Sequence, residues 1–148
     1  MHDRRAGLLL FGALCAACAG PPGPAGAYRL TALDGRSLPT QMAADTCAGR
    51  LLSGGLTLGA DSTWRGTLIG WEPCEAVTDT SVYAGRYTAA GTTLTLSVDG
   101  FTWGGAFRTS GSVVDSLTGV MRGSGLTLVY AGAFGGEKPV TFTLQRVP

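Results

Sequence analysis

The chain has 148 residues, of which 45% are hydrophobic and 14% charged, with 11 basic and 10 acidic residues and a single histidine. So balanced a charge leaves no electrostatic footprint for nucleic acid or for an anionic lipid surface. The histidine is His2, so anything built on imidazole is excluded from the rest of the chain.

The first elements in chain order read as an export signal. Arg4 and Arg5 precede the apolar run Ala6 to Leu14, and Cys15-Ala16-Ala17-Cys18-Ala19-Gly20 closes it with small residues. A basic stretch, a short apolar stretch and a small-residue cleavage zone make a secretory signal peptide. The apolar run falls far short of the roughly 20 residues that span a bilayer as a helix. The segment Cys15-Ala16-Ala17-Cys18 resembles the lipobox of bacterial lipoproteins, with Cys15 standing where Leu is commonest. That resemblance implies residues 1–17 as a lipoprotein-type signal and acylation of Cys18, with Ala19 in place of Asp implying the outer membrane. Ordinary cleavage after Ala17 or Ala19 is the alternative, and it would release a secreted or periplasmic soluble protein. In the segment 18–27 that follows, Pro21, Pro22 and Pro24 stand among Gly and Ala. Such a composition favours an extended, semi-rigid tether.

Cleavage before Cys18 removes two of the 11 basic residues and one of the 10 acidic ones, so the mature chain is neutral. It also removes Cys15, and acylation would occupy Cys18, leaving Cys47 and Cys74 as a pair. In an exported protein such a pair reads as a disulfide. Two sulfurs so far apart in sequence, with no other soft ligand, do not make a metal site.

Residues 28–148 read as one all-β domain. Tyr28 to Leu33 precedes Asp34-Gly35, a strong hairpin turn. Leu56 to Leu58 and Thr63 to Ile69 flank a turn at Gly59 to Ser62, and Val82 to Thr88 is joined to Thr92 to Val98 through Ala89 to Gly91. Asp99-Gly100 is predicted to turn the chain into Phe101 to Phe107. Ser112 to Arg122, the turn Gly123 to Gly125, Leu126 to Tyr130 and Val140 to Arg146 complete the series. Leu94, Leu96 and Val98 alternate with Thr93, Thr95 and Ser97, and Val140, Phe142 and Leu144 with Thr141, Thr143 and Gln145. Alternation with period two marks strands with one face on a core and one in water. Gln41 to Ala48 could hold one helical turn. About eight short strands joined by tight turns predict an antiparallel up-and-down meander, closed or nearly closed into a barrel. Closure would also remove exposed edges that so few charges could not protect.

The stretch Gly85-Arg-Tyr87-Thr-Ala-Ala-Gly91-Thr-Thr-Leu-Thr-Leu96, with the opening Tyr28-Arg-Leu-Thr-Ala-Leu-Asp-Gly35-Arg-Ser-Leu-Pro39, resembles uncharacterised bacterial lipoproteins with a lipocalin-like small β-barrel domain. The resemblance covers residues 28–147 and implies a fold more than a function.

Little in the mature chain points to catalysis. Without histidine there is no Ser-His-Asp or Cys-His site. No glycine-rich phosphate loop precedes a helix, so no nucleotide cofactor is expected, and no metal. The carboxylates sit mostly in or beside turns, where they cap local backbone. Glu72 and Glu75 flank Cys74 and could at most meet a cation. Trp64, Tyr83, Tyr87, Phe101, Trp103 and Phe107 gather on the middle strands and are the candidate ligand pocket, although an eight-stranded barrel is narrow enough for side chains to fill. Arg65 and Arg86 lie within strands and could hold an anionic headgroup, but each is expected on the solvent face. A transmembrane barrel is a minor alternative, since alternation alone does not say which face meets lipid. The expected function is a lipid-anchored, non-enzymatic binding module for a small apolar ligand or an envelope protein. The alternative is a structural, envelope-maintenance lipoprotein with a filled barrel and no ligand.

Overall fold

The structure, a computed structural model, describes residues 23–42, 48–103, 106–109, 116–131 and 138–148. The signal segment, Cys18 and Cys47 lie outside the described residues, as does most of the stretch expected to hold a helical turn. Every regular element among the described residues is a strand. They are β1 (Gly26–Leu33), β2 (Arg36–Ser37), β3 (Thr40–Gln41), β4 (Arg50–Leu58), β5 (Thr63–Glu72) and β6 (Val77–Ala90). Then follow β7 (Thr93–Trp103), β8 (Ala106–Thr109), β9 (Ser116–Arg122), β10 (Gly125–Tyr130) and β11 (Val140–Arg146).

The sheet runs β1-β11-β10-β9-β7-β6-β5-β4, and β4 returns to pair with β1. All these pairings are antiparallel, so eight strands close into a barrel, with β2, β3 and β8 added at its margins. Tyr28 is the meeting point, opposite Arg146 of β11 on one side and Leu56 of β4 on the other. The predicted closed barrel is therefore the observed fold.

Alternation puts the apolar residues inside. Leu30, Leu56, Leu58, Leu94, Leu96, Leu126, Leu128, Phe142 and Leu144 are buried from different strands into one core, with Leu94 and Leu96 0% exposed. Their neighbours along each strand, such as Thr57, Thr93, Thr95, Thr127 and Gln145, are exposed. A transmembrane barrel shows lipid an apolar wall and keeps a polar interior. This barrel has the opposite arrangement.

The turns bear out most of the sequence reading. Asp34 and Gly35 both take positive φ, 49° and 76°, between the paired Leu33 and Arg36. That is the backbone a two-residue hairpin of this type requires. Asp99-Gly100 does not turn. β7 runs through it, and the register on β6 shifts between Ala84 and Gly85, opposite Gly100 and Val98. Asp99 is the extra residue of a β-bulge, which tolerates the same residue types as a turn while letting the strand continue. The chain reverses beyond Trp103, whose partner on β8 is Ala106. β6 and β7, at 14 and 11 residues, are longer than the short strands expected.

Gly85 explains how the bulge and the core fit together. A Cβ there would lie 1.8 Å from the Ser97 carbonyl oxygen and 2.9 Å from the Trp64 indole nitrogen. A Gly66 Cβ would lie 3.2 Å from the same indole. Two glycines thus make the space in which Trp64 lies. Gly85→Ala has backbone to push against and is expected to destabilise the fold by about 2 kcal/mol or more. A denaturant midpoint matching the parent's, with unchanged slope, would contradict this packing.

Candidate functional site

The barrel has two unlike ends. At one, the base, the tight turns Gly59–Ser62, Gly91–Thr92 and Gly123–Ser124 join adjacent strands. Backbone bonds stitch these turns to their neighbours. The Tyr87 amide donates to the Ser62 carbonyl, Met121 to Thr92, Arg146 to Ser124 and Val147 to Ala27, each at 2.8 Å. The ends of β1, β5, β7 and β10 and the starts of β4, β6, β9 and β11 lie at the other end, the mouth.

Of the six aromatics of the expected pocket, the four whose side chains are described divide between two places. Trp64 and Tyr87 lie near the base and belong to the core, 6% and 7% exposed. Trp64 Nε1 donates to the Ser97 carbonyl at 2.8 Å, and the Tyr87 hydroxyl donates to the Gly59 carbonyl at 2.7 Å. A polar tip bonded to the barrel's own backbone serves to satisfy a buried donor and fix the ring. Tyr83 and Phe101 sit higher, opposite one another on β6 and β7, with ring centroids 6.2 Å apart and planes 24° apart. Both are half-buried, and Leu68, Leu117, Tyr130 and Val140 are also only partly covered where they pack on the core. Trp103 continues β7 and Phe107 lies on β8, where its backbone pairs with Thr102. The side chains of these two residues lie outside the described set.

Burial of the Tyr83 ring pushes its hydroxyl above the usual tyrosine value of 10. The Ser81 hydrogen bond opposes the shift and the Asp79 carboxylate adds to it. Tyr28, at the base, is also raised by burial, with Arg146 acting against it.

Outside the mouth, the tip of the β5–β6 hairpin borders an open cavity of about 380 Å³ lined by Glu72, Glu75, Val77, Thr78 and Asp79. Cys74 is exposed in the turn of this hairpin, and its side chain already has a partner. Among the described residues no group of three or more His, Cys, Asp or Glu is arranged to hold a metal. The hairpin tip is an acidic, solvated surface.

Neither the chain nor its fold brought a relative into view: no protein-family model, no curated protein and no solved structure matches it.

What sequence reading missed was the split between anchored and half-open aromatics. One signal for it was present. Along β7 the inward positions run Leu94, Leu96, Val98 and then Phe101, a break in phase that places the bulge between core and mouth.

The raised tyrosines set a direction for pH dependence. Between pH 10 and the raised values the folded protein keeps protons that the unfolded chain releases, so stability is full below pH 10 and falls as pH rises through that window. Titration followed by phenolate absorbance should show tyrosines ionising late, and Tyr83→Phe should shrink that late phase. Four tyrosines titrating together at the ordinary value would contradict the burial described.

Proposed function

We propose that the protein is a cell-envelope lipoprotein, acylated on Cys18, whose barrel is a binding module that works through its mouth. The observation that carries the reading is the division of its aromatics. Leucines fill the lower interior and the polar tips of Trp64 and Tyr87 are bonded to backbone. Tyr83 and Phe101, stacked and half-exposed, offer apolar surface that the core does not consume. An apolar lining with a few polar groups is what a small-ligand contact or a protein anchor point needs. The filled interior supports a shallow contact with an apolar ligand or an envelope protein over a deep ligand cavity.

Two further parts of the reading draw support from the course of the chain. β1 begins at the base, so the tether 18–27 leads to that end and an anchor on Cys18 would leave the mouth facing away from the membrane. Cys74 lies in the β5–β6 turn, and with Cys18 acylated Cys47 is the cysteine left to pair with it, as an oxidising envelope favours. That bond would clamp the β5–β6 hairpin. Peptide mapping without reductant should recover the two cysteines in one linked species, whereas free alkylation of Cys47 would remove the clamp from the reading.

A structural lipoprotein with no ligand is the second reading, and the filled lower core favours it. The two are separated with the apolar fluorophore N-phenylnaphthylamine. Saturable binding by the purified protein, weakened about tenfold or more in Tyr83→Ser/Phe101→Ser with near-ultraviolet dichroism retained, supports the mouth as a binding surface. No saturable binding by the parent protein would leave the structural reading. The anchor is tested independently by palmitate labelling, which should disappear in Cys18→Ala; label that persists in that variant, or is never incorporated, would refute acylation at Cys18.

A further inference from the structure

The neutral composition of the mature chain conceals a separation of charge along the barrel. Arg29 lies near the start of β1, Arg65 near the start of β5, Arg86 near the end of β6 and Arg122 at the end of β9. All four are exposed on the outer wall, between inward-facing residues such as Tyr28 and Leu30, Trp64 and Gly66. Their ladder partners confirm the level: Arg29 opposes Gly55, Arg65 opposes Thr57, Arg86 opposes Thr63, and Arg122 opposes Gly125 beside the β9–β10 turn. All are base positions. Arg146 ends β11 beneath them.

The acidic residue at this level is Asp61, in the β4–β5 turn. Its carboxylate accepts from the Thr63 hydroxyl at 2.7 Å and from the Thr63 amide at 3.2 Å. Those bonds, with a smaller contribution from Arg86, hold its pKa below the usual carboxylate range. Asp99 lies midway along β7, and Asp34, Glu72, Glu75 and Asp79 are at the mouth end. Asp45, Asp115 and Glu137 lie outside the described residues. Among the described residues the base thus carries five arginines against one carboxylate.

The base also holds the tether. Arg146 Nη2 donates to the Gly23 carbonyl at 3.0 Å and to the Ala25 carbonyl. Its guanidinium stands 5.6 Å from the centre of the Tyr28 ring. The Tyr28 hydroxyl donates to the Pro24 carbonyl at 2.7 Å. The chain is therefore fixed to the barrel from Gly23 onward, and the five steps from Cys18 to Gly23 span at most about 18 Å.

From these observations we infer that the base of the barrel is a docking surface for an anionic phospholipid membrane. The occupant follows from charge and reach together. Arginines distributed over four strands of the outer wall present long, flexible stems that extend toward headgroups while their apolar parts lie along the sheet. A basic cluster gains affinity from an anionic leaflet only within about a Debye length, roughly 10 Å at moderate salt. A tether this short would hold the base near that range, turning the charge asymmetry into an orientation: base on the lipid, mouth away from it. The docking depends on the base's own charge and is tested without an acyl chain, so it stands or falls separately from acylation.

The test uses the full chain with Cys18→Ser, mixed with phosphatidylcholine vesicles with and without phosphatidylglycerol, and reads the increase in binding that the anionic lipid produces. The apolar leader is common to every variant, so differences between variants report the barrel. The increase should be present at low salt and fade at high salt. Arg29→Glu/Arg122→Glu should reduce it about tenfold or more. Arg36→Glu/Arg50→Glu makes the same change in net charge at the mouth end and should leave it within about twofold. Should the first pair fail to fold, Arg65→Gln/Arg86→Gln reads the same surface. No increase with anionic lipid, or equal losses from the base and mouth variants, would overturn the docking surface.

Discussion

The structure depends on one closure, the pairing of β1 with β11 on one side and β4 on the other. An open sheet with this sequence would leave the inward row of Leu30, Leu56, Leu126 and Leu144 facing water and would expose two long edges with few charges to protect them. Closure covers that row with itself. It also fixes the radius of the interior, and the radius decides which residues fit. Gly119 illustrates the constraint, since a Cβ there would lie 2.5 Å from Leu128 Cδ2 and 3.3 Å from Leu126 Cδ1. Large side chains on one strand are accommodated by their absence on the facing one, as Gly66 and Gly85 accommodate Trp64. The filled interior is thus a consequence of closing eight strands around leucines.

Closure also distinguishes the two ends. Short turns can be stitched strand to strand, and the bonds from Tyr87, Met121, Arg146 and Val147 do this at the base. At the opposite end, Tyr83, Phe101 and Tyr130 are half-exposed. A bulge at Asp99 lies between the two regimes. It advances the phase of β7 so that Phe101 points toward the interior side above Val98, and it lets β7 continue past the barrel wall to pair with β8.

Much of this was legible in the sequence. The strict alternation of Leu94, Leu96 and Val98 with threonine and serine identified an inward face, and the small-residue turns at Asp34-Gly35 and Gly123-Ser124 were found because their backbone needs glycine or a tolerant neighbour. Asp99-Gly100 misled for a physical reason: the same residues suit a tight turn and a bulge, and only the ladder to β6 selects between them. The candidate pocket was half legible. Sequence shows aromatics on neighbouring strands, but not that the Trp64 and Tyr87 donors are consumed by the carbonyls of Ser97 and Gly59. Those acceptors are 33 and 28 residues away, and register brings them together.

Charge gives the sharpest case of information that composition cannot hold. Net neutrality excludes a footprint for an anionic surface only when the charges are evenly spread. Alternation placed Arg65 and Arg86 outward correctly, one residue at a time. Their gathering arises from direction: β1 and β5 carry arginine near their starts, β6, β9 and β11 near their ends, and antiparallel pairing brings those starts and ends to one level. An up-and-down barrel therefore converts alternating positions along a sequence into two opposed surfaces. With the tether clamped by Arg146 at the basic end and the half-open aromatics at the other, the same topology that fills the core also assigns each end a different environment to face.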